Sequence, residues 1–515
     1  MKTRYFKKIG LQIISLIAIL IFPTGCLDDF EEINKNPTQI VDLNAADFGK
    51  MYAYAQRGLW AGYQTGQSLQ ADLYAQYFAS TSKNFGQDRY VMNNNHITAY
   101  WNRNYGEYLP NTYIIISKTE PTSPENAMCR ILRAYYYNKI SDYWGPVPYS
   151  STLKNLDVYP YDSQEFIYND MIKELTEAAE VLKNNLTAKP FAPFDAVYYG
   201  DVNKWIKFAN TLKLRLAVRI SDIAPSPAKT AAEAAVANGV MTDIADDAYY
   251  HPADNKTDMN GLSDISWYME FRMSASMESY LKGFNDPRME KFFRDPIALP
   301  GQFHGIRNGM TPAEMIIEKN SNDFNSNVNA KWHPDFKYKT PQDVIHAAEA
   351  YFLRAEGALK GWNMGGTAKE LYETGIRTSM KQYGITDVSV INAYIDGTTP
   401  PVEPGDYFNS PAVATTHVKW AANDELRKEQ INVQKWLALY PDGHEAWANV
   451  RRSGYPKLYP VLNNDNADLP ENTPIKRVPF IIAERESNKA AVEEAEKLLG
   501  NGGDKVSTRL WWDVN

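Results

Sequence analysis

The residues able to do chemistry in this chain are plentiful, but they form no catalytic pattern. Sixty-two Asp and Glu side chains supply many candidate carboxylate pairs for general acid and base work on a glycosidic bond. Glu349 and Glu356 stand two helical turns apart inside a pattern of packed helices, which reads as structural. The seven histidines, His96, His251, His304, His333, His346, His417 and His444, never recur at the short spacings that make a metal face. His346 and Glu349, three apart, read as a packing pair. No G-x-S-x-G, P-loop, strand-borne G-x-G-x-x-G or H-E-x-x-H is present. The oxygen-rich run Asn463-Asn464-Asp465-Asn466-Ala467-Asp468 could hold calcium, yet it lacks the full EF-hand spacing. The expectation is a protein that is not an enzyme, with no metal or other cofactor apart from that calcium option.

The positive signal is aromatic. The chain has 34 Tyr, 20 Phe and 12 Trp, side chains that join an apolar face to a polar handle in two of the three cases. Sugars present apolar C–H faces and hydroxyl edges, so a carbohydrate site wants flat rings with Asn, Asp, Arg or Gln beside them. Phe85-Gly86-Gln87-Asp88-Arg89-Tyr90 fits that demand, with Asn93, Asn94 and Asn95 close behind. So do Trp267-Tyr268, the run Phe303-His304-Gly305-Ile306-Arg307-Asn308, and Phe324 to Trp332 with its repeated Asn. The candidate ligand-binding residues are therefore Phe85, Arg89, Tyr90, Trp267, Phe303, Arg307 and Trp332.

Charge narrows the partners. Lys and Arg number 54 against 62 acidic residues, a formal charge of -8. Without residues 1–25, which carry Lys2, Arg4, Lys7 and Lys8, 50 basic residues face the same 62 acidic ones. With no basic cluster there is little to hold a phosphate backbone, so nucleic acid is not an expected partner.

The N-terminus reads as an export signal. Four cationic residues precede the mostly apolar run Ile9 to Phe22, and Pro23-Thr24-Gly25-Cys26 follows. Fourteen residues are too few to span a bilayer, which takes about 20. Gly followed by Cys at the end of such a run looks like a lipobox, which predicts acylation of Cys26 and anchoring by several acyl chains. Residues 1–25 are then a lipoprotein signal peptide, 26–40 an acylated tether and 41–515 a single domain. Cys26 and Cys129 are the two cysteines, so no disulfide scaffold is available and stability must come from packing. Cys129 reads as a small buried hydrophobe.

The elements that must position the loops read as amphipathic helices. Asp162 to Asn185 carries Phe166, Met171, Ile172, Leu175, Ala178, Ala179 and Leu182 on one face, with Asp162 and Glu165 resembling a capping box. Asp201 to Asp222 places Trp205, Phe208, Ala209, Leu212, Leu216 and Ile220 likewise. Pro341 suits a first helical position, Val344 to Leu359 makes the stripe and Gly361 closes it. Thr367 with Glu370 opens a partner helix that stops at Gly384. Small residues at Ala348, Ala355, Gly357, Ala368 and Gly375 let these two approach closely, as in tetratricopeptide hairpins. Further helices are expected at Ala45 to Gly62, Leu69 to Ser80, Tyr100 to Lys118, Asn126 to Tyr143, Thr230 to Ala237, Met273 to Leu281 and Asn423 to Tyr440. Long polar and aromatic segments at 81–99, 240–275, 296–335 and 386–422 lie between them, and loops of that length are usually functional. The fold class is all-α: stacked tetratricopeptide-like hairpins carrying a loop-rich ligand-binding face.

An ordered series of motifs resembles the SusD/RagB family of outer-membrane nutrient-binding lipoproteins. It runs from Cys26-Leu27-Asp28-Asp29-Phe30 through Asn34-Lys35-Asn36-Pro37, Arg133-Ala134-Tyr135 and Ser141 to Tyr149. It continues through Trp205 to Arg219, Asp286-Pro287-Arg288, Ala348 to Gly384, Glu445 to Pro456, Glu484 to Asn488 and Trp511-Trp512-Asp513. The resemblance implies stacked hairpins and a lipid-anchored outer-membrane protein facing the cell surface. It also implies a SusC-like, TonB-dependent transporter as partner, to which captured oligosaccharides, or in some relatives peptides, are delivered. Arg451, Arg452 and Tyr455 fall in its scaffold motif and read as structural. A surface glycosidase is the less favoured alternative.

Overall fold

The computed structural model describes residues 43, 45–60, 62–253, 258–333 and 339–514. Cys26 and the tether lie outside the described residues. The chain divides into Met1–Phe48 and Gly49–Asn515. Of the first, residues 43 and 45–48 are described, and helix α1 (Ala45–Gln56) begins there.

The second unit is built on helices: α2 (Asn94–Asn102), α3 (Leu109–Lys118), α4 (Pro124–Trp144), α5 (Gln164–Lys183), α6 (Val202–Arg219) and α7 (Pro225–Ala237). After these come the short α8 (Gly261–Ser266), α9 (Ala275–Gly283), α10 (Ala347–Leu359), α11 (Ala368–Gln382) and α12 (Val388–Ile395). The chain ends with α13 (Asp424–Leu439), α14 (Gly443–Ser453) and α15 (Lys489–Leu498). Neighbours in sequence pack as pairs, α3 on α4, α4 on α5, α5 on α6 and α10 on α11, while α10 also meets α6 and α13. This is the expected stack of hairpins.

Local chemistry explains the starts and stops. The Thr367 hydroxyl accepts from the Glu370 amide while the Glu370 carboxylate takes the Thr367 amide, a complete capping box. Asp201 caps α6 through the amides of Asn203 and Lys204. At α5 the cap is Ser163, not Asp162, whose carboxylate is engaged by Ser150. Gly375 is required by close approach, since a Cβ there would lie 2.8 Å from the Phe352 ring.

Two expected helices differ. Pro341 does not open α10: residues Gln342–Ile345 form strand β4, which pairs antiparallel with β2 (Ala248–Tyr250), and α10 starts at Ala347. Val344 and Ile345 are β-branched, and the neighbouring strand decides between the two states their pattern allows. The helix expected at Leu69 to Ser80 instead runs as a π-type segment, Tyr63–Ala71, and one short turn. Gln76 at φ 52° ends it, and Phe78–Ser80 becomes β1, paired with β3 (Phe271–Met273). Met273, placed at the start of a helix by its pattern, lies in that strand.

Candidate functional site

The pairing of β1 with β3 is the root from which the aromatic loops spring. Phe78 faces Met273, Ala79 faces Arg272 and Ser80 faces Phe271. The loop after Ser80 therefore leaves beside the turn that precedes Phe271, and the Thr81 amide bonds to the Glu270 carbonyl at 2.9 Å. The segment 303–308 joins the other side: the Ile306 amide reaches the Met273 carbonyl at 2.9 Å, and the Ala275 amide reaches the Ile306 carbonyl at 2.7 Å. Gly305 permits this, because a Cβ there would sit 2.3 Å from the Ser274 carbonyl oxygen. The Met273 amide meets the Ser326 carbonyl, and the Ser326 amide meets the His304 carbonyl. All four expected segments are thus rooted side by side, with a small core of Ala79, Ile306, Met310 and Met315 among them.

Asp88 locks the first loop to the third. Its carboxylate accepts from the Ser80 amide (3.0 Å), the Gly309 amide (3.1 Å) and the Asn308 side chain (2.7 Å). Burial pushes its pKa up to about 6, although these three donors and Arg89 act in the opposite direction.

The expected residues separate into four groups. Trp267 closes α8, and its ring is 55% exposed beside Tyr268, 5.0 Å between centroids. Met269, at φ 60°, turns the chain back under them, its carbonyl taking bonds from Thr81 and Asn322. Phe85 and Phe303 are half-buried, Phe85 at 5.7 Å from the His96 ring.

Arg89 and Arg307 act as staples between loops. Arg89 pairs with Asp465 at 2.6 Å and donates to the Met310 carbonyl. Arg307 donates to Ser410 and to the Pro460 carbonyl, and stacks 4.6 Å from the Tyr459 ring centroid.

Trp332 is a correction: it is wholly buried, 5.5 Å from Tyr440 and under the Lys331 ammonium. No face of it is open to a ligand. Its carbonyl accepts from Ser266, so it supports the end of α8 that bears Trp267.

Tyr90, held at φ 66°, turns its ring into a cavity of about 250 Å³ shared with Tyr74, Trp447 and Tyr459. Trp447 and Tyr459 were not among the expected site residues. Trp447 lies in a scaffold helix and Tyr459 follows Tyr455 in a proline-broken stretch without neighbouring Asn, Asp or Gln, so neither carries an aromatic-loop signature.

Other chemistry is accounted for. Glu349 is held by Arg215 at 2.6 and 2.8 Å, and Glu356 by Arg452 at 2.6 and 2.7 Å, so neither carboxylate is free for acid or base work. The His346 ring meets Asp343 and Asp247, while its carbonyl accepts from the Glu349 amide at 3.1 Å. Its pKa reaches about 10, since the two carboxylates outweigh the lowering by burial. Cys129 is fully buried and its thiol is pushed up by burial. In the 463–468 loop Asp465 faces Arg89, and the Asn464 and Asn466 side-chain oxygens accept amides two residues on. Among the described residues no group of three or more His, Cys, Asp or Glu could hold a metal ion, and no helix is long and apolar enough to cross a membrane.

Comparison with known proteins agrees with this architecture. Among curated proteins none matches the chain. A chitin-binding SusD homologue from Flavobacterium johnsoniae superimposes with a TM-score of 0.84 at 34% identity, covering 91% of this chain and 99% of that one. A SusD-like protein from Bacteroides thetaiotaomicron gives 0.82 at 33% identity, with the same coverage. A SusD homologue from Bacteroides vulgatus gives 0.83 at 28%, covering 92% of this chain and 99% of that one. The family model for SusD and RagB outer membrane lipoproteins matches residues 32–513, and the chain belongs to that SusD-like family.

Proposed function

We propose that this protein is a non-catalytic, lipid-anchored glycan-binding protein of the outer-membrane surface. In this reading it captures oligosaccharides on its loop face and passes them to a SusC-like, TonB-dependent transporter. Cys26 carries the lipid, residues 1–25 are the signal, and one domain follows the tether. The observation that carries the reading is the sorting of the tryptophans. Of the twelve in the chain, Trp267 alone is exposed, and it sits beside exposed Tyr268 on a turn pinned by the neighbouring loops.

A flat ring held still costs little entropy when a sugar face stacks on it, so useful affinity comes from few contacts. Phe85 and Phe303 stand on loops with the same root, while Tyr90 adds a ring in a cavity of its own. Arg89 and Arg307 contribute by fixing the loops.

The relative at 34% identity is described as chitin-binding, which makes a polymer of N-acetylglucosamine the first ligand to try. The test is native affinity electrophoresis of the purified protein through gels containing soluble chitin derivatives and other polysaccharides, with a reducing-end assay on the same samples. Retardation that is lost in Trp267→Ala, without new reducing ends, supports the reading. New reducing ends would establish a glycosidase, and no retardation in any gel would move the assignment to peptides or another nutrient. Loss of palmitate labelling in Cys26→Ala is expected for the anchor, and co-purification with a TonB-dependent barrel for the partner.

A further inference from the structure

The cavity of about 250 Å³ beside Tyr90 has a wall of unusual charge for so acidic a protein. Arg451, Lys457 and Lys476 line it, and among the described residues no aspartate or glutamate does. Tyr74, Tyr90, Trp447 and Tyr459 supply ring surface, with Val450, Pro456 and Ile475 completing an apolar flank.

The cations are not equally engaged. Lys476 is paired with Asp513 at 3.0 Å. Arg451 lies 3.6 Å over the Trp447 ring and gives its Nη1 to the carbonyls of Asp142 and Lys476. Its Nη2 has no hydrogen-bond partner, and neither does the hydroxyl of Tyr74. Both residues are more than nine-tenths buried. Neither atom has accessible surface of its own, so Arg451 acts on the cavity through its charge rather than through that donor. Lys457 stands exposed at the rim, 4.5 Å from the Tyr455 ring.

The volume falls just below the roughly 300 Å³ at which drug-sized pockets begin, so it suits one ring and not a chain. A small ring with an apolar face and a single negative charge complements this wall.

We propose that the cavity is a binding subsite for one carboxylate-bearing sugar, a uronic acid residue of an acidic glycan. Its ring lies against Tyr90 and Tyr459, and its carboxylate faces Arg451 and Lys457. The choice of a sugar acid over another small carboxylate rests on the glycan reading above.

The experiment measures binding of glucuronic and galacturonic acid to the full protein by saturation-transfer NMR and calorimetry, against their uncharged amides, glucuronamide and galacturonamide. Benzoate serves as a carboxylate without a sugar. The acids are expected to bind at least tenfold tighter than the amides, with affinity falling as salt rises. Lys457→Glu should weaken the acids at least tenfold and Lys457→Gln about threefold. Thr473→Trp, placed in the wall, should abolish binding at an unaltered melting temperature. Equal affinity for acid and amide would overturn the proposal, as would no binding of either acid, or unaltered binding in Lys457→Glu. Benzoate binding as tightly as the sugar acids would overturn the sugar assignment. The neutral-polymer gels read Trp267, so failure there and failure here are separate results.

Discussion

Two sets of arginines, one in the helical stack and one on the loop face, are neutralised in opposite ways. In the stack Arg215 meets Glu349, Arg219 and Lys435 meet Glu445, Arg452 meets Glu356 and Arg288 meets Asp286. Burial alone would lower the pKa of Arg215, but Glu349 and Glu445 carry it well above its ordinary value. On the loop face Arg272 donates to the carbonyls of Asn322 and Phe271 and to the Met269 sulfur, while Arg307 has Ser410 and a carbonyl. Neither has a carboxylate within ion-pair distance among the described residues, and burial lowers both, Arg272 to about 10. The stack satisfies its charges internally and locks its geometry. The loop face keeps positive charge in a half-dry setting, where a ligand oxygen can use it.

The largest test of this contrast is Glu349→Ala. It leaves Arg215 buried with the more distant Glu445, 3.6 Å away, and should cost about 3–5 kcal/mol in chemical denaturation. A loss under 1 kcal/mol would show that the stack does not depend on its internal pairs. Asp88→Ala strikes the loop face. Its three donors lose their acceptor, which should cost about 1–3 kcal/mol and speed hydrogen exchange at the Ser80 and Gly309 amides, with α10 and α11 protected as before. Uniform acceleration would mean that the two regions unfold as one.

Trp267→Ala should reduce glycan affinity about tenfold, or 1.4 kcal/mol, and change stability by no more than about 0.5 kcal/mol. Calorimetry with thermal melts separates these, and a fall in melting temperature with intact binding would reverse the assignment.

The smallest effect is one of pH. Asp88 has a folded pKa near 6 against an ordinary 3.8, so its contribution is fully present below 3.8 and lost as pH rises through 6. Wild type should therefore gain on Asp88→Asn as pH drops from 7.5 to 5. Glu445 runs the other way: burial would raise its pKa, but Arg219, Lys435 and Arg215 hold it low. Its contribution is present above the ordinary 4.5 and is lost only as pH falls toward its depressed value. Melting curves of wild type, Asp88→Asn and Glu445→Gln between pH 3 and 8 should show these opposite slopes.

The helical stack was largely legible because its information is local. A 3.6-residue stripe, a Thr367–Glu370 cap and a Gly375 crossing are each readable within one or two turns. The acylated Cys26 remains an expectation of the same local kind. The candidate site was half legible: the segments at 85–90, 267–268, 303–308 and 324–332 are recognisable by composition, and the structure roots them together. Their common root was not legible, because Phe78–Ser80 and Phe271–Met273 are three-residue strands, too short to show a period of two. The same brevity let Val344 and Ile345 pass as the start of a helix.

What the sequence determined by itself was the existence of a capped, amphipathic helical framework and of aromatic loops between its parts. Tertiary structure alone decided which aromatics face a ligand. Trp267 and Trp332 sit in equally polar stretches, yet one stands on a pinned turn and the other is enclosed against Tyr440. It also decided that Tyr74, Tyr90, Trp447 and Tyr459, drawn from distant parts of the chain, would share one cavity. Burial depends on what the rest of the chain brings to a residue's side, and no local pattern carries that information.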